Sequence, residues 1–391
     1  MNLSKSNSLA LADLKKEWMR AGLFFVLFIG GVYLFFHRNW NAGYALRWLS
    51  LSSAFGLWQL WVLWRSLSLN HREGEDALLP TLGWGSTVSF GRGIFIAALL
   101  GFLFSPWTTG WLAWLPFTFY LLAALSDILD GYLARVNNHV TKLGAALDMS
   151  NDSWGVLIVT LLVFWYGQVP IWYLPVGLAR YIFLAGLWWR EKQGKENTEL
   201  PHSFRRRIFA GVQMGFIVSM LAPVFSPPAT TIAATLFMLP FLVGFLYDWF
   251  LVTGKIDPDK GAAFFARIAS LKMLRIIPLA LRLVVVWFLW SYTHMVGDLI
   301  FREYSQFLGL LWYMLSFAAL PMLLFGVVGR LGAIFVLISS GMAFSIPENS
   351  FIYMLLIGAG TILFFTGTGA FSLWSPEEWL IYNRAGEQRN A

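Results

Sequence analysis

The stretch Asp127-Ile128-Leu129-Asp130-Gly131-Tyr132-Leu133-Ala134-Arg135, followed after eight residues by Gly144-Ala145-Ala146-Leu147-Asp148-Met149-Ser150-Asn151-Asp152, sets four aspartates at the ends of two long apolar runs. The chain around them is 58% hydrophobic and 13% charged, so these carboxylates stand in an apolar background. A carboxylate in or at the edge of a bilayer is costly unless something pairs with it, so four converging ones imply bound cations and a functional site. If both flanks are helical, Asp127 and Asp130 fall at i and i+3, and Asp148 and Asp152 at i and i+4. Each pair then lines one helix face.

The apolar runs recur along the chain at about 17 to 25 residues each, the length a helix needs to cross a bilayer. With 21 tryptophans, 35 phenylalanines and a mean hydropathy of +0.63, the composition is that of an all-α, polytopic membrane protein. Membrane strands are excluded, because they would be shorter and would alternate polar with apolar residues. The net charge of +7 resides in loops between the runs, where membrane orientation and anionic headgroups require it, so no nucleic-acid partner is expected. Zero cysteines exclude disulfides, thiol nucleophiles and Cys-ligated zinc. The five histidines show no ligand spacing, and His139 and His202 read as interfacial polar residues.

Twelve spans are expected, near 21–36, 43–66, 87–105, 111–130, 143–166, 170–189, 207–225, 229–252, 276–293, 306–328, 331–346 and 351–373. His37-Arg38-Asn39 follows the first run where a signal peptide would carry small cleavage-site residues, so that run reads as a retained helix. The organisation expected is an N-terminal extension of two spans (1–74), a six-helix core (75–252), a basic linker (253–275) and a C-terminal module of about four helices (276–391). Loops 67–80 and 253–275 read as junctions that few tertiary contacts cross, and Arg282, Asp298, Arg302 and Glu303 read as interfacial. Loops 131–142, 190–206 and 253–275 are rich in Lys and Arg, whereas turns 106–110, 167–169 and 225–228 have none, which places the basic loops and the aspartates on the cytoplasmic side.

The pattern Asp127-x-x-Asp130-Gly131-x-x-Ala134-Arg135, eight residues, Gly144-x-x-x-Asp148-x-x-x-Asp152 resembles the signature of the CDP-alcohol phosphatidyltransferases at every defined position. Fainter echoes are Ser86-x-x-Ser89-x-x-Arg92, Arg180 and Gln213. The resemblance covers about residues 75–252 and implies a six-helix core that moves a phosphatidyl or related group from a CDP-linked lipid donor to an alcohol acceptor, releasing CMP. It implies Asp127, Asp130 and Asp148 as metal ligands and Asp152 as the base that deprotonates the acceptor, with a metal contact of its own. It implies two Mg²⁺ or Mn²⁺ ions, a donor pocket that includes Gly131, Ala134, Arg135, Gly144 and Ser89, and a homodimer in a cell or inner membrane. Independently of the family, hard oxygen ligands suit these ions, and an Arg can grip a phosphate in a bidentate manner that Lys would not match. The residues 367–373 resemble the close of the DoxX-type four-helix membrane proteins, from which no activity is drawn.

Lys142, Arg180, Arg205 and Arg206 tilt the acceptor toward a phosphorylated polyol such as glycerol 3-phosphate or inositol phosphate. Each small or basic residue also has a plainer role. Gly131 and Ala134 can serve close helix packing, Arg180 can snorkel, Arg205 and Arg206 can be topogenic, and Ser86 and Ser89 can bond back to their own helix. A divalent-cation transporter would also cluster carboxylates in a membrane, although such sites sit near the midplane rather than beside a basic interface.

Overall fold

The computed structural model describes residues 3–198, 200, 204–257, 273–303, 305–343, 350–367 and 369–377. Among them are twelve α-helices and no β-strand. They are α1 (Leu3–Asn39), α2 (Ala42–Ser66), α3 (Gly83–Gly101), α4 (Leu115–Val136), α5 (Lys142–Trp165), α6 (Pro175–Lys192), α7 (Phe204–Met220), α8 (Ala229–Val252), α9 (Met273–Glu303), α10 (Gln306–Phe325), α11 (Gly329–Ala343) and α12 (Ser350–Thr366). The helices fall where the twelve apolar runs were read. Seven stretches, at 5–39, 110–136, 142–165, 171–192, 229–252, 276–302 and 306–325, are long and apolar enough to cross a membrane, and α11 and α12 are shorter apolar helices. The polar segment before the first run is itself helical, continuous with the span from Leu3. Helix α4 likewise runs six residues past its apolar stretch, which carries both of its aspartates inside the helix.

The chain forms two compact units, the first made of residues 1–167, 174–180 and 214–223. Its centre is α3, which packs on α2, α4 and α5. Helix α3 carries Ser86, Ser89 and Arg92 among its buried residues, which is tolerable because protein rather than lipid surrounds it. Small residues set its approach distances. A Cβ on Gly85 would meet Ala134 Cβ at 2.8 Å on α4, and one on Gly144 of α5 would meet Ser86 Oγ at 3.1 Å. On the α2 side, fully buried Trp48 donates from Nε1 to the Ala98 carbonyl at 2.9 Å, and its ring meets Phe36 edge-on at a centroid distance of 5.0 Å.

The 67–80 loop is more than a junction. Buried Asn70 donates from Nδ2 to the carbonyls of Leu79 (3.0 Å) and Thr81 (2.7 Å). From α1, Glu17 Oε2 accepts the amide of Leu82 at 2.6 Å and Asn7 Oδ1 accepts that of Leu78 at 3.0 Å. Contacts from α1 therefore tie down this loop, because polar groups in the head of α1 reach backbone groups that a bare linker would leave to water.

The second unit comprises residues 168–173, 181–213 and 224–391, with the core of α9–α12 formed by residues such as Val285, Leu289, Trp312, Leu323, Val336 and Leu356. Arg282, expected from the sequence at the interface, is enclosed by protein. It is 2% exposed and donates to the Phe371 carbonyl at 3.3 Å and to Ser372 Oγ at 3.4 Å, because the chain after α12 folds back over it. Most of the linker, 258–272, lies outside the described residues, Lys260, Arg267 and Lys272 with it, as does His202.

The packing of α3 on α2 is testable with two glycines of one helix. A Cβ on Gly101 would sit 2.5 Å from Trp48 Cδ1 and closer still to Ser52 Oγ, whereas one on Gly91 meets nothing within 4 Å. Gly101→Ala should therefore cost about 1–3 kcal/mol by overpacking. Gly91→Ala should gain up to about 1 kcal/mol of helix propensity. Thermal unfolding of both variants in one detergent checks the opposite signs.

Candidate active site

Helix α4 presents Asp127 and Asp130 one turn apart, and α5 presents Asp148 and Asp152 one turn apart, as helical spacing requires. Helix α5 starts at a defined residue because Thr141 caps it, its hydroxyl accepting the Gly144 amide at 3.1 Å. Asp127, Asp148 and Asp152 each offer a carboxylate oxygen, and these atoms all lie within 4.8 Å of one another. Their side chains are 33%, 48% and 40% exposed, so the cluster opens to the outside of the unit.

Arg92 of α3 enters the cluster from the protein side and is 2% exposed. Its Nη1 donates to Asp127 Oδ1 and to Asp148 Oδ1 (2.9 Å) and lies 3.7 Å from Asp130 Oδ2, while Nη2 donates to Asp152 Oδ1 and reaches the Asp148 carbonyl at 3.4 Å. The sequence reading quoted Arg92 within a faint echo and gave it no role. Its position is set by tertiary packing, 35 residues before the nearest of its aspartates, and no local spacing announces it.

Asp130 stands apart from the other three. Only 7% exposed, it accepts a hydrogen bond from Ser89 Oγ at 2.7 Å. Ser89, expected in the donor pocket, is thus turned toward a carboxylate inside the protein, and its hydroxyl is also 3.2 Å from the Gly85 carbonyl. Ala134 and Gly144 sit at the helix crossings described above, so their small size is already used in packing. Gly131 differs: the group nearest to a Cβ there is the mobile end of Arg135, with Nη1 at 3.3 Å. Arg135 and Lys142 are exposed at the facing ends of α4 and α5, and Arg180 on α6 is half-buried. Arg206 belongs to the second unit, where its Nη1 lies 3.7 Å from Asp248 Oδ2, and the side chain of Arg205 lies outside the described residues. His139 is bonded through Nε2 to the Thr81 carbonyl at 3.0 Å, in keeping with a polar tie rather than a ligand. Gln213, another echo, donates to the buried Tyr173 hydroxyl in the second unit.

The donor set fits a hard divalent cation. Four carboxylates face one guanidinium, leaving three formal negative charges among oxygen-only donors, the chemistry that Mg²⁺ and Mn²⁺ take. No softer ligand lies in the group.

Comparison with known proteins agrees with this chemistry. Residues 85–249 match the family model of the CDP-alcohol phosphatidyltransferases, an interval that holds Ser89, Arg92 and all four aspartates. That interval is less than half of the chain, and over it the chain is similar to that family. Over 95 residues, 24% of this chain, it is 35% identical to a CDP-diacylglycerol–glycerol-3-phosphate 3-phosphatidyltransferase of Cereibacter sphaeroides, and the match spans 41% of that enzyme. No solved structure matches the chain.

If Arg92 offsets carboxylate repulsion, removing it leaves the buried end of the cluster uncompensated, a change that typically costs about 3–5 kcal/mol. Arg92→Leu should lower the melting temperature in chelator, and Mg²⁺ should raise it more in this variant than in the parent protein. Equal Mg²⁺ shifts in the two proteins would show that the guanidinium and the cation do not share these carboxylates.

Proposed function

We propose that the chain is an integral membrane phosphatidyltransferase that moves a phosphatidyl group from CDP-diacylglycerol to the hydroxyl of a phosphorylated polyol and releases CMP. The observation that carries this reading is the convergence of Asp127, Asp148 and Asp152 around Arg92 within the region matched to the family. Glycerol 3-phosphate, the acceptor in the name of the Cereibacter sphaeroides enzyme, is favoured over inositol phosphate. Lys142 and Arg180, basic residues of the same unit as the aspartates, supply charge for an anionic acceptor.

The aspartates divide the work. Asp127, Asp130 and Asp148 would hold two Mg²⁺ or Mn²⁺ ions, with a further contact from Asp152, which clusters with Asp127 and Asp148. When bound, such ions neutralise charge on the pyrophosphate and on departing CMP. Asp152 takes the proton from the acceptor hydroxyl as that oxygen bonds to the phosphatidyl phosphorus and the P–O bond to CMP breaks. Arg135, free to swing from above Gly131, pairs with a donor phosphate in a bidentate manner. The active site faces the cytoplasm, where soluble acceptor and CMP exchange, and the protein works as a homodimer. A divalent-cation transporter is disfavoured, because a fixed positive charge, Arg92, is bonded among the carboxylates.

CMP release from CDP-diacylglycerol with a panel of acceptors tests the reading. Asp152→Asn should slow transfer by about 10²–10⁴-fold while donor binding persists. Asp127→Asn and Asp148→Asn should abolish transfer, and EDTA should do so reversibly. Transfer that survives EDTA would sink the assignment.

A further inference from the structure

Helix α2 precedes residues 85–249, yet it places a polar side chain inside the bundle that carries the aspartates. Gln59 on α2 is 7% exposed, and its Nε2 donates to Asn151 Oδ1 at 3.1 Å. Asn151, 4% exposed, donates in turn from Nδ2 to the Ser89 carbonyl at 2.6 Å. Two members of this relay adjoin the site. Asn151 lies between Asp148 and Asp152 on α5, and Ser89 bonds Asp130 while standing one turn before Arg92 on α3.

The fit is specific to an amide held close. A Cβ on Gly93 would lie 2.5 Å from Gln59 Nε2 and 2.6 Å from its Oε1, so a glycine at that position is what admits the amide between α2 and α3. The same extension also grips the turn that separates the two halves of the aspartate pattern. Arg72 Nη2 donates to the Asn138 carbonyl at 3.1 Å, and the Lys142 amide donates to the His71 carbonyl at 3.1 Å. Amides bonded to one another in an apolar interior have few alternative partners, so they fix helix register more firmly than apolar contacts do.

We propose that α2 supports the catalytic centre through Gln59, a positioning residue which, through Asn151, fixes the aspartate-bearing turn of α5 against the arginine-bearing turn of α3. The inference rests on the transferase reading for its effect on turnover, but its effect on cation binding can be read without turnover.

The test uses the full chain in detergent, with Mn²⁺ binding followed by EPR in the absence of substrate, alongside kcat and donor KM for CMP release. Gln59→Met keeps length and apolar volume but removes the amide, and should weaken Mn²⁺ binding about tenfold and lower kcat with donor KM nearly unchanged, as loss of an outer-sphere partner does. Gly93→Ala, which displaces the same amide from the α3 side, should reproduce the loss, and it carries the test alone if Gln59→Met does not fold. Leu63→Ala removes a fully buried side chain from the same helix, and should lower the melting temperature while leaving Mn²⁺ affinity unchanged. In an Asn151→Ala background, Gln59→Met should add nothing further. Wild-type Mn²⁺ affinity and kcat in both the Gln59 and Gly93 variants, an equal effect from Leu63→Ala, or additivity with Asn151→Ala would each overturn the proposal. If the parent protein binds Mn²⁺ and Gln59→Met weakens it, but no CDP-linked donor yields CMP, the transferase reading fails and the positioning role stands.

Discussion

One guanidinium held by four carboxylates dictates how the first unit is built. Arg92 is almost wholly buried, and a desolvated charge is tolerated only if its partners are close and well directed. Those partners come from two other helices, so α3, α4 and α5 must meet at one fixed separation near the aspartates. Exposure of Asp127, Asp148 and Asp152 then follows from the same arrangement. Arg92 compensates them from inside, and the uncompensated charge faces outward, where a divalent ion can reach it.

This separation explains the small residues better than ligand access does. Gly85 against Ala134 and Gly144 against Ser86 are crossings at which the backbone or Cβ of one helix nearly touches its neighbour. Larger side chains there would push the helices apart and pull the aspartates away from Arg92. Gly131 is the exception. Its nearest neighbour is the exposed end of Arg135, which can swing away, so room for a donor at that position is compatible with the structure.

The aspartates were legible because their relations are local: spacings of three and four residues place each pair on one helix face whatever the rest of the chain does. The helices were legible for the same reason, since apolar run length is read in a single window. For Asp130 the spacing shows the helix face that carries the carboxylate and says nothing of the Ser89 hydroxyl that bonds it. Arg92 was visible only as an echo, and Gln59 not at all, its partner lying 92 residues away. At the loop 67–80 likewise, Asn7, which accepts the Leu78 amide, and Glu17, which accepts that of Leu82 just beyond, come from the distant head of α1.

Helix α3 also explains why an extension outside the family match becomes part of the site. A helix with buried Ser86, Ser89 and Arg92 and several glycines is a poor neighbour for lipid, which offers no hydrogen bonds and fills glycine notches badly. Helices α4 and α5 cover two of its faces and hold the aspartates. The third face carries Gly93 and Gly101, and α2 covers it with Gln59, Ser52 and Trp48, the last bonding the Ala98 carbonyl. Any helix with small and apolar residues could shield that face, but shielding alone does not require a buried amide. Gln59 spends its hydrogen bond on Asn151, which lies between Asp148 and the carboxylate proposed as base and immediately precedes the latter, so the covering helix is tied to the turn that carries the chemistry.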